Sequence, residues 1–522
     1  MANWAILIGQ YLKHWHLPIS LLTEYGFMSA YRQIQDHFAR IGQLSHVQAI
    51  VAWDEAVMMP PGGGASRGQA QATLNVLVHE LETDSKLHDL FNEALDESGL
   101  DEWQRANLLK IQRRFKRASA LPPDLVEAAS KARSRCVQAW RVLRSENDWQ
   151  GMLPLLQQNL DFSRQEAQLM GESTNLLPYD ALIDQYEPGM TSHKITQVFS
   201  ELKSRLPNFI DQVVERNSHE ESTSLGDYFP IEKQRSLGLK MMQTLGFDFN
   251  HGRLDVSHHP FCGGVPDDVR ITTRYREHSF IESIMAVLHE TGHAMYEQGL
   301  PKDWRGQPVG EALGMAMHES QSLLMEMQAC RTREFIDYLT PIATEIFGEK
   351  DNPAWNSDNL YGHYTRVQKG LIRVDADEVT YPMHIILRFE LEKALISGEL
   401  EMVDVPEYWD TGMKQYLGIS TADNYIDGCL QDVHWMEGLF GYFPTYTLGA
   451  MTAAQLFAAA KEQNSGLLSS IGEGDFVPLL DWLRVNVHSR GSLLESDELL
   501  LQATGSKLDP WYFMEHLESR YG

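Results

Sequence analysis

Apolar residues recur three and four positions apart along most of the chain, which is the spacing of one face of an α-helix. The pattern is clearest over residues 101–145, 193–216, 310–339 and 383–397. The sequence contains no internal repeat and no long linker rich in Pro, Gly or Ser. These patterns predict a mainly α fold that forms one large helical unit rather than a series of separate domains.

One segment follows the two-residue period of a β-strand instead. Residues 269–275, VRITTRY, alternate in polarity and are rich in β-branched side chains. The segment comes shortly before the helix that carries the most informative residues of the chain. We therefore expect a small β-sheet beside the functional site.

The segment from Ser279 to Gly299 carries signals for the start and the end of a helix. Ser279 followed by Glu282 has the spacing of a capping box, in which each side chain bonds the backbone of the other. Gly299 and the following Pro301 are typical of a helix end. The helix would bury an apolar stripe formed by Ile281, Ile284 and Leu288.

Composition places the chain among ordinary globular proteins. Its 522 residues are 43% hydrophobic and 22% charged, so a large core can form and no tract has the bias typical of disorder. The formal net charge is −28, which repels a phosphate backbone. Nucleic acid is therefore not an expected partner.

The cysteines and the N-terminal residues bear on the compartment. The four cysteines are far apart in sequence and lack C-x-x-C spacing, which predicts neither a disulfide framework nor a thiolate metal site and fits a reducing cytoplasm. Residues 1–27 are mildly apolar, but Lys13, His14 and His16 interrupt them. This segment therefore predicts neither a membrane anchor nor a secretory leader.

The predicted helix contains the motif H-E-x-x-H as His289, Glu290 and His293. Histidines four positions apart lie one helical turn from each other, so both imidazoles can reach one tetrahedral zinc ion. The glutamate between them then points toward a water molecule at the metal and is the candidate general base. A pair of solvated surface histidines is the alternative interpretation of the same spacing.

The third protein ligand decides the subclass of such a site. A metzincin needs Gly and His where this chain has Tyr296 and Gly299, so that subclass is excluded. The other common arrangement takes a carboxylate from a following helix, and Glu319 is the strongest candidate. Glu326 shares its helix face and is expected to accept a hydrogen bond from a metal ligand.

Two other functional classes compete with a zinc peptidase. The residues GASRG at 64–68 fit the G-x-S-x-G pattern of serine hydrolases, but a nucleophile elbow needs a preceding strand and this segment follows PPGG. A non-catalytic helical scaffold would be favoured if Glu290 or a metal ligand were missing. All are present, so a zinc-dependent peptide hydrolase is the preferred interpretation.

Several separate motifs resemble the thermostable carboxypeptidase Taq family of zinc metallocarboxypeptidases. The resemblance runs from about Met28 to the C-terminus and includes WDEAVMMPPGGGASRGQ from residue 53. The other motifs are HPF at 259–261, D-x-R-x-T at 268–272, H-E-S-Q at 318–321, I-R-x-x-A-D at 372–377 and G-x-x-Q-D-x-H-W at 428–435. Six motifs in order are far more specific than one.

The resemblance implies a single large helical metallopeptidase fold with a deep cleft and a small β-sheet beside the active site. It also implies one zinc ion per chain, with cobalt as a possible substitute, peptide substrates with a free C-terminus and a homodimer. Residues 28–522 would form the catalytic domain. Residues 1–27 would be an N-terminal extension or the product of an upstream start. A helical zinc oligoendopeptidase with the same metal core is the alternative function.

The same resemblance implies roles for residues outside the metal site. Arg373 is expected to bind the terminal carboxylate of the substrate with help from His259, because a guanidinium group suits a carboxylate. An ion pair of Arg373 with Asp375 or Asp377 is the alternative. Arg270 is a weaker substrate-binding candidate, since a strand residue paired with Asp268 is the simpler interpretation.

The wider group of helical zinc peptidases, which includes the angiotensin-converting enzymes, suggests a His and a Tyr that stabilise the transition state. His434 and Tyr446 are the candidates for these roles. Tyr442 is a close rival of Tyr446, and core packing is the alternative role of either tyrosine.

Overall fold

The structure is a computed structural model that describes residues 28–218, 222–348 and 352–522. The interpretation of residues 1–27 as an extension or an upstream start lies outside the described residues. Within the described ranges, α-helices dominate and one three-stranded sheet is present. The prediction of a mainly α fold is therefore confirmed.

The helices fall into three stretches of the chain. Before the sheet come α1 (Ala30–Val57), α2 (Gly64–Glu82), α3 (Lys86–Leu95), α4 (Glu102–Ala120), α5 (Pro123–Leu143), α6 (Trp149–Thr174), α7 (Pro178–Ile183), α8 (Ser192–Asn217) and α9 (Ile231–Leu245). The middle stretch contains α10 (Ile281–Gly299), α11 (Met315–Leu323), α12 (Arg333–Phe347), α13 (Ser357–Tyr364) and α14 (Tyr381–Ser397). The last stretch contains α15 (Val405–Leu417), α16 (Pro444–Gln463), α17 (Leu467–Gly472), α18 (Val477–Asn486), α19 (Ser496–Thr504) and α20 (Pro510–Tyr521).

The small sheet lies against α10. Its strands are β1 (Gly252–Val256), β2 (Phe261–Val265) and β3 (Asp268–Thr273), in the order β1-β3-β2. The central strand β3 runs parallel to β1 and antiparallel to β2. Val269 and Ile271 of β3 are buried against Val287 and Ala294 of α10. The predicted strand is confirmed over residues 269–273, and it places the sheet beside the helix of the H-E-x-x-H motif.

The predicted helical segments are confirmed, with breaks that follow from local chemistry. Residues 101–145 form two helices because Leu121 precedes a proline pair and takes an extended conformation. Residues 310–339 also divide: α11 runs into a π-helical turn, Leu324–Ala329, and α12 begins after Thr332, whose hydroxyl accepts from the amide of Phe335.

The predicted capping box at the start of α10 is wrong. The helix begins at Ile281, and the preceding Phe280 makes no side-chain cap. The amide of Ser279 donates to the carbonyl of Arg276 instead, and the Arg276 guanidinium donates to Glu282 at 3.0 Å. A nearby arginine has therefore taken the carboxylate that the capping box needed. The predicted end at Gly299 is confirmed.

Among the described residues, three clusters of buried apolar residues join helices to one another, in addition to the cluster that packs the sheet against α9 and α10. One large cluster joins α6, α8, α14, α15 and part of α16, and a second joins α9 to α12 with the C-terminal half of α16. A third, smaller cluster holds the N-terminal helices α1, α3 and α4 to one another. Helix α16 therefore connects the two large clusters, and it packs along α11 between them.

Across the described residues, no helix has the combination of length and apolar character that crossing a membrane requires.

Candidate metal centre and active site

Helices α10 and α11 bring together the three predicted metal ligands. The Nε2 atom of His293 lies 3.3 Å from Oε2 of Glu319, and Nε2 of His289 lies 3.8 Å from the same oxygen. One ligand atom from each residue falls within 4.8 Å of the others. Within the described residues, this is the one group of three or more His, Cys, Asp or Glu side chains close enough to hold a metal ion.

The helices can approach this closely because glycine stands at two contacts. A Cβ atom on Gly292 of α10 would lie 2.4 Å from the carbonyl oxygen of Gln321 on α11. A Cβ atom on Gly449 of α16 would lie 2.8 Å from Cβ of Glu319. Any larger residue at either position would push backbones or the Glu319 side chain away. These glycines therefore set the spacing of the ligand-bearing helices.

Further contacts orient the two imidazole rings. The Nδ1 atom of His289 lies 3.0 Å from Oε2 of Glu326, so the predicted contact of Glu326 is present. The other oxygen of Glu326 accepts from Arg331 at 2.6 Å. The Nδ1 atom of His293 lies 3.0 Å from the carbonyl oxygen of His318. Because Nδ1 of each ring has an acceptor, both Nε2 atoms are left for the centre of the site.

The charges of the site favour a cation. Burial raises the pKa of Glu319, but His289 and His293 outweigh it and lower the pKa to about 2, so this carboxylate is ionised. Burial lowers the pKa of His289, but Glu319 and Glu326 outweigh it and raise the pKa to about 10. Burial raises the pKa of Glu290 to about 7, although His289 opposes the shift. Carboxylates thus surround the imidazoles in a buried space.

Arg373 lies in a short 3₁₀ turn and is only 5% exposed. Its Nε and Nη2 atoms lie 2.9 and 2.8 Å from Oδ1 of Asp432. Among the described residues, Asp432 is the carboxylate that pairs with Arg373, so the alternative of a pair with Asp375 or Asp377 is wrong. The carboxylate of Asp377 accepts backbone amides of its own loop, including that of Thr380, so it points away from the guanidinium group.

A second arginine shares the carboxylate of Asp432. Nε of Arg388 on α14 lies 2.7 Å from Oδ2, and Arg388 is fully buried. Burial opposes ionisation, yet Arg388 and Arg373 hold the pKa of Asp432 well below its usual range. Two guanidinium groups around one carboxylate leave one net positive charge. The sequence analysis missed Arg388 and gave no role to Asp432, although the G-x-x-Q-D-x-H-W motif contains it.

His434 and two tyrosines lie over this charged cluster. Nε2 of His434 is 3.2 Å from the hydroxyl of Tyr446, whereas the ring of Tyr442 packs against His434 with centroids 5.6 Å apart. The Arg373 guanidinium lies 5.0 Å from the centroid of the Tyr446 ring. Burial, with help from Arg373, lowers the pKa of His434 to about 3, so its imidazole is neutral. Both tyrosines are half-buried.

The remaining predicted residues lie on the sheet. His259 is exposed between β1 and β2, and its ring stacks edge-on with that of His258. Arg270 donates to Asp268 at 3.0 and 2.7 Å and lies 4.3 Å from the centroid of the Trp53 ring. The structural interpretation of Arg270 is thus confirmed. Among the described residues, neither His259 nor Arg270 forms a hydrogen bond or ion pair with the Arg373 cluster.

Comparisons with known proteins agree with this geometry. A family model described as carboxypeptidase Taq (M32) metallopeptidase matches residues 33–521. Thermostable carboxypeptidase 1 of Thermus thermophilus is 36% identical over 512 residues, which span 94% of this chain and 98% of the relative. Carboxypeptidase 1 of Bacillus subtilis is 33% identical over 500 residues, which span 94% of this chain and 97% of the relative.

Solved structures give the same result. Trypanosoma cruzi metallocarboxypeptidase 1 matches with a TM-score of 0.93 at 41% identity, over 95% of this chain and 99% of that protein. The M32 carboxypeptidase of Deinococcus radiodurans matches with a TM-score of 0.89 at 33% identity, over 94% of this chain and 99% of that protein. These matches confirm the expected family and its helical fold. They also confirm the expected function of a carboxypeptidase and not the alternative of an oligoendopeptidase. A member of this family acts on peptides with a divalent metal ion. The chain therefore belongs to the carboxypeptidase Taq family and is a metallocarboxypeptidase.

Proposed function

We propose that this enzyme is a zinc carboxypeptidase that releases single amino acids from the free C-termini of peptides. The observation that carries the proposal is the convergence of His289, His293 and Glu319 on one point, with ligand atoms within 4.8 Å of one another. Two imidazoles and one carboxylate are the protein ligands of several catalytic zinc sites, which keep a fourth position open. We expect one zinc ion per chain, with cobalt as a possible substitute.

Glu290 is the proposed general base. A bound zinc ion supplies Lewis acidity, which polarises the scissile carbonyl and lowers the pKa of a water molecule. Glu290 follows His289 directly on α10 and is 7% exposed, and the charges of His289 and Glu319 act on its carboxyl group. In this role it removes a proton from water and later delivers that proton to the leaving amine.

His434 and Tyr446 are the proposed donors to the developing oxyanion. Their mutual contact at 3.2 Å uses the donor of one of the two groups. A neutral His434 that donates its one N–H to the Tyr446 oxygen leaves the Tyr446 O–H for the oxyanion, and a His434 that bonds the oxyanion must first release Tyr446. Tyr442 is the alternative donor, because its half-buried ring lies 5.4 Å from that of Tyr446. The groups would act by preorganised hydrogen bonding, which is a large contribution in acyl transfer.

Recognition of the terminal carboxylate is assigned to the cluster of Arg373, Arg388 and Asp432. Its single net positive charge gives a buried anion a partner, without which desolvation of that anion would be costly. His259 remains a predicted helper from the rim of the sheet. Arg270 remains a predicted substrate contact of lower rank, since Asp268 and Trp53 already hold its guanidinium group.

The finer biological features are also proposals. We propose a homodimer and a catalytic domain of residues 28–522, on the strength of family membership and of a family match that begins at residue 33. We propose a cytoplasmic location, which the four free thiols support, because a reducing compartment keeps cysteines unpaired.

Mass spectrometry of a defined peptide, digested with and without a chelator, tests the main proposal. We expect a ladder of products that each lack one more C-terminal residue, and we expect no ladder in chelator. The matched control is the same peptide with an amidated C-terminus, which should be cut far more slowly. Internal cleavage of the amidated peptide at the rate of the free peptide would contradict the assignment.

A further inference from the structure

The guanidinium group of Arg373 is enclosed by neighbouring side chains and is almost inaccessible to a substrate. Its Nε atom donates to Asp432, its Nη2 atom lies 2.8 Å from the same carboxylate oxygen, and its Nη1 atom donates to the hydroxyl oxygen of Tyr381 at 2.6 Å. The side chain is 6% exposed, and the rings of Phe443 and Tyr446 lie 5.6 and 5.0 Å from its central carbon. A substrate carboxylate that uses this charge therefore needs a group that reaches outward from it.

Tyr381 is such a group. It is the first residue of α14, and as a residue it is half-buried, whereas Arg373 is buried. Its oxygen accepts from Arg373, which leaves its own O–H free to donate. Within the described part of the chain, that O–H has no hydrogen-bond acceptor. A phenol that accepts from a cation is polarised and becomes a stronger donor.

The position of Tyr381 links the charged cluster to the metal centre. Its ring packs edge-on against Tyr446 of α16, with centroids 6.1 Å apart. Tyr446 and Gly449 share one face of α16, and Gly449 contacts the side chain of Glu319. Burial raises the pKa of Tyr381 to about 12, although Arg373 opposes the shift, so the hydroxyl is protonated at neutral pH.

We propose that the hydroxyl group of Tyr381 donates a hydrogen bond to the terminal carboxylate of the substrate and is a specificity-determining residue. Arg373 donates a hydrogen bond to the phenol oxygen, and the guanidinium charge polarises the phenol O–H that bonds the substrate anion. The inference rests on the proposed role of the Arg373 cluster in carboxylate recognition. It adds the atom that touches the substrate and requires no covalent step.

Tyr381→Phe tests the inference, because it removes one oxygen atom and keeps the ring. Initial rates are measured for one peptide with a free C-terminus and for its C-terminal amide. We expect KM for the free acid to rise by about 10-fold to 100-fold, the range for a hydrogen bond to a charged group, with kcat within about twofold. The preference for free acid over amide should fall by the same factor.

A binding measurement separates recognition from chemistry. In a Glu290→Gln background, calorimetry should show that Tyr381→Phe weakens binding of the free acid and leaves binding of the amide unchanged. Tyr416→Phe is the matched control, since it also removes a hydroxyl bonded to a charged partner, Glu390, outside the site. Metal content and Tm are recorded for each variant, and Tyr381→Leu supplies a second removal of the hydroxyl if the first variant does not fold.

Two outcomes would overturn the role of Tyr381. An unchanged preference for the free acid would mean that Tyr381 only braces Arg373. An equal loss of kcat on acid and amide would place its hydroxyl at the scissile carbonyl. Arg373→Ala is measured in parallel with Tyr381→Phe, and it separates failure of the Tyr381 assignment from failure of the proposed carboxylate site. If Arg373→Ala abolishes the preference and Tyr381→Phe does not, only the assignment of Tyr381 is wrong; if neither changes it, the carboxylate site itself is wrong.

Discussion

Glu326 bridges His289 and Arg331 through the two oxygens of one carboxylate, at 3.0 Å from Nδ1 of the histidine and 2.6 Å from the guanidinium group. This contact fixes the ring of a proposed metal ligand and increases its basicity. Glu326→Gln keeps an acceptor but removes the charge. We expect its zinc affinity to fall by about 10-fold to 100-fold, measured by competition with a chelator. Glu345→Gln, at an exposed position on α12, is the control, and an unchanged affinity for Glu326→Gln would contradict the role.

Glu290→Gln should separate metal binding from catalysis. The amide cannot accept a proton from water, so we expect hydrolysis to fall by at least about 100-fold to 10,000-fold. Zinc content, measured by elemental mass spectrometry, should stay near one ion per chain. Glu282→Gln changes an exposed carboxylate on the same helix and should keep full activity. Turnover near that of the unmodified enzyme would remove Glu290 from the mechanism.

Chelation should remove activity and stability together. Because the ligands come from α10 and α11, a bound ion joins two core helices, and its loss should lower Tm. Activity and Tm are followed during dialysis against a chelator and after return of zinc or cobalt. Undiminished hydrolysis in a preparation without bound metal would exclude the proposed centre.

Arg373→Ala should reproduce the effect of amidating the substrate. Loss of one member of a buried charged pair costs about 2–5 kcal/mol, so kcat/KM for free peptides should fall by roughly 30-fold to several thousand-fold. Amidation should then matter much less to the variant than to the unmodified enzyme, because both changes delete one interaction. Zinc content serves as the control. Equal sensitivity to amidation in both proteins would show that Arg373 acts elsewhere.

Gly292→Ala should destabilise the enzyme by a steric route. The new Cβ atom would lie 2.4 Å from the carbonyl oxygen of Gln321, which forces α10 and α11 apart. We expect a loss of about 1–3 kcal/mol of unfolding free energy and weaker zinc binding. Gly68→Ala, where a Cβ atom meets nothing within 4 Å in α2, is the control and should be neutral or slightly stabilising. Equal Tm values for the two variants would contradict the steric explanation.

The grouping of the three proposed metal ligands could be predicted because its geometry is largely local. His289 and His293 are set four positions apart by helical periodicity alone, and Glu319 needs only the return of the next helix. The strand at residues 269–273 was likewise visible as a two-residue period. Signals of this kind depend on residues close in sequence, and the structure contains the helix and the strand that they predict.

The omissions came from partners distant in sequence, whereas the wrong capping box came from a competing side chain close in sequence. Asp432 binds Arg373 across 59 positions, so no local pattern revealed that pair or the competition from Arg388. The capping box failed because Arg276 took its carboxylate. Tyr381 is unremarkable in sequence, and only the fold places its hydroxyl against Arg373.

The sharing of Asp432 between two arginines makes the members of this cluster unequal in their tolerance of change. Removal of Arg373 leaves Asp432 and Arg388 as an ion pair with no net charge. The interior then loses its attraction for anions, but no buried charge is left unpaired. Removal of the Asp432 carboxylate would leave the guanidinium groups of Arg373 and Arg388 close together, buried and without a counter-charge or solvating water. Substitution of Arg373 should therefore change the proposed substrate preference with little loss of stability, whereas substitution of Asp432 should destabilise the fold.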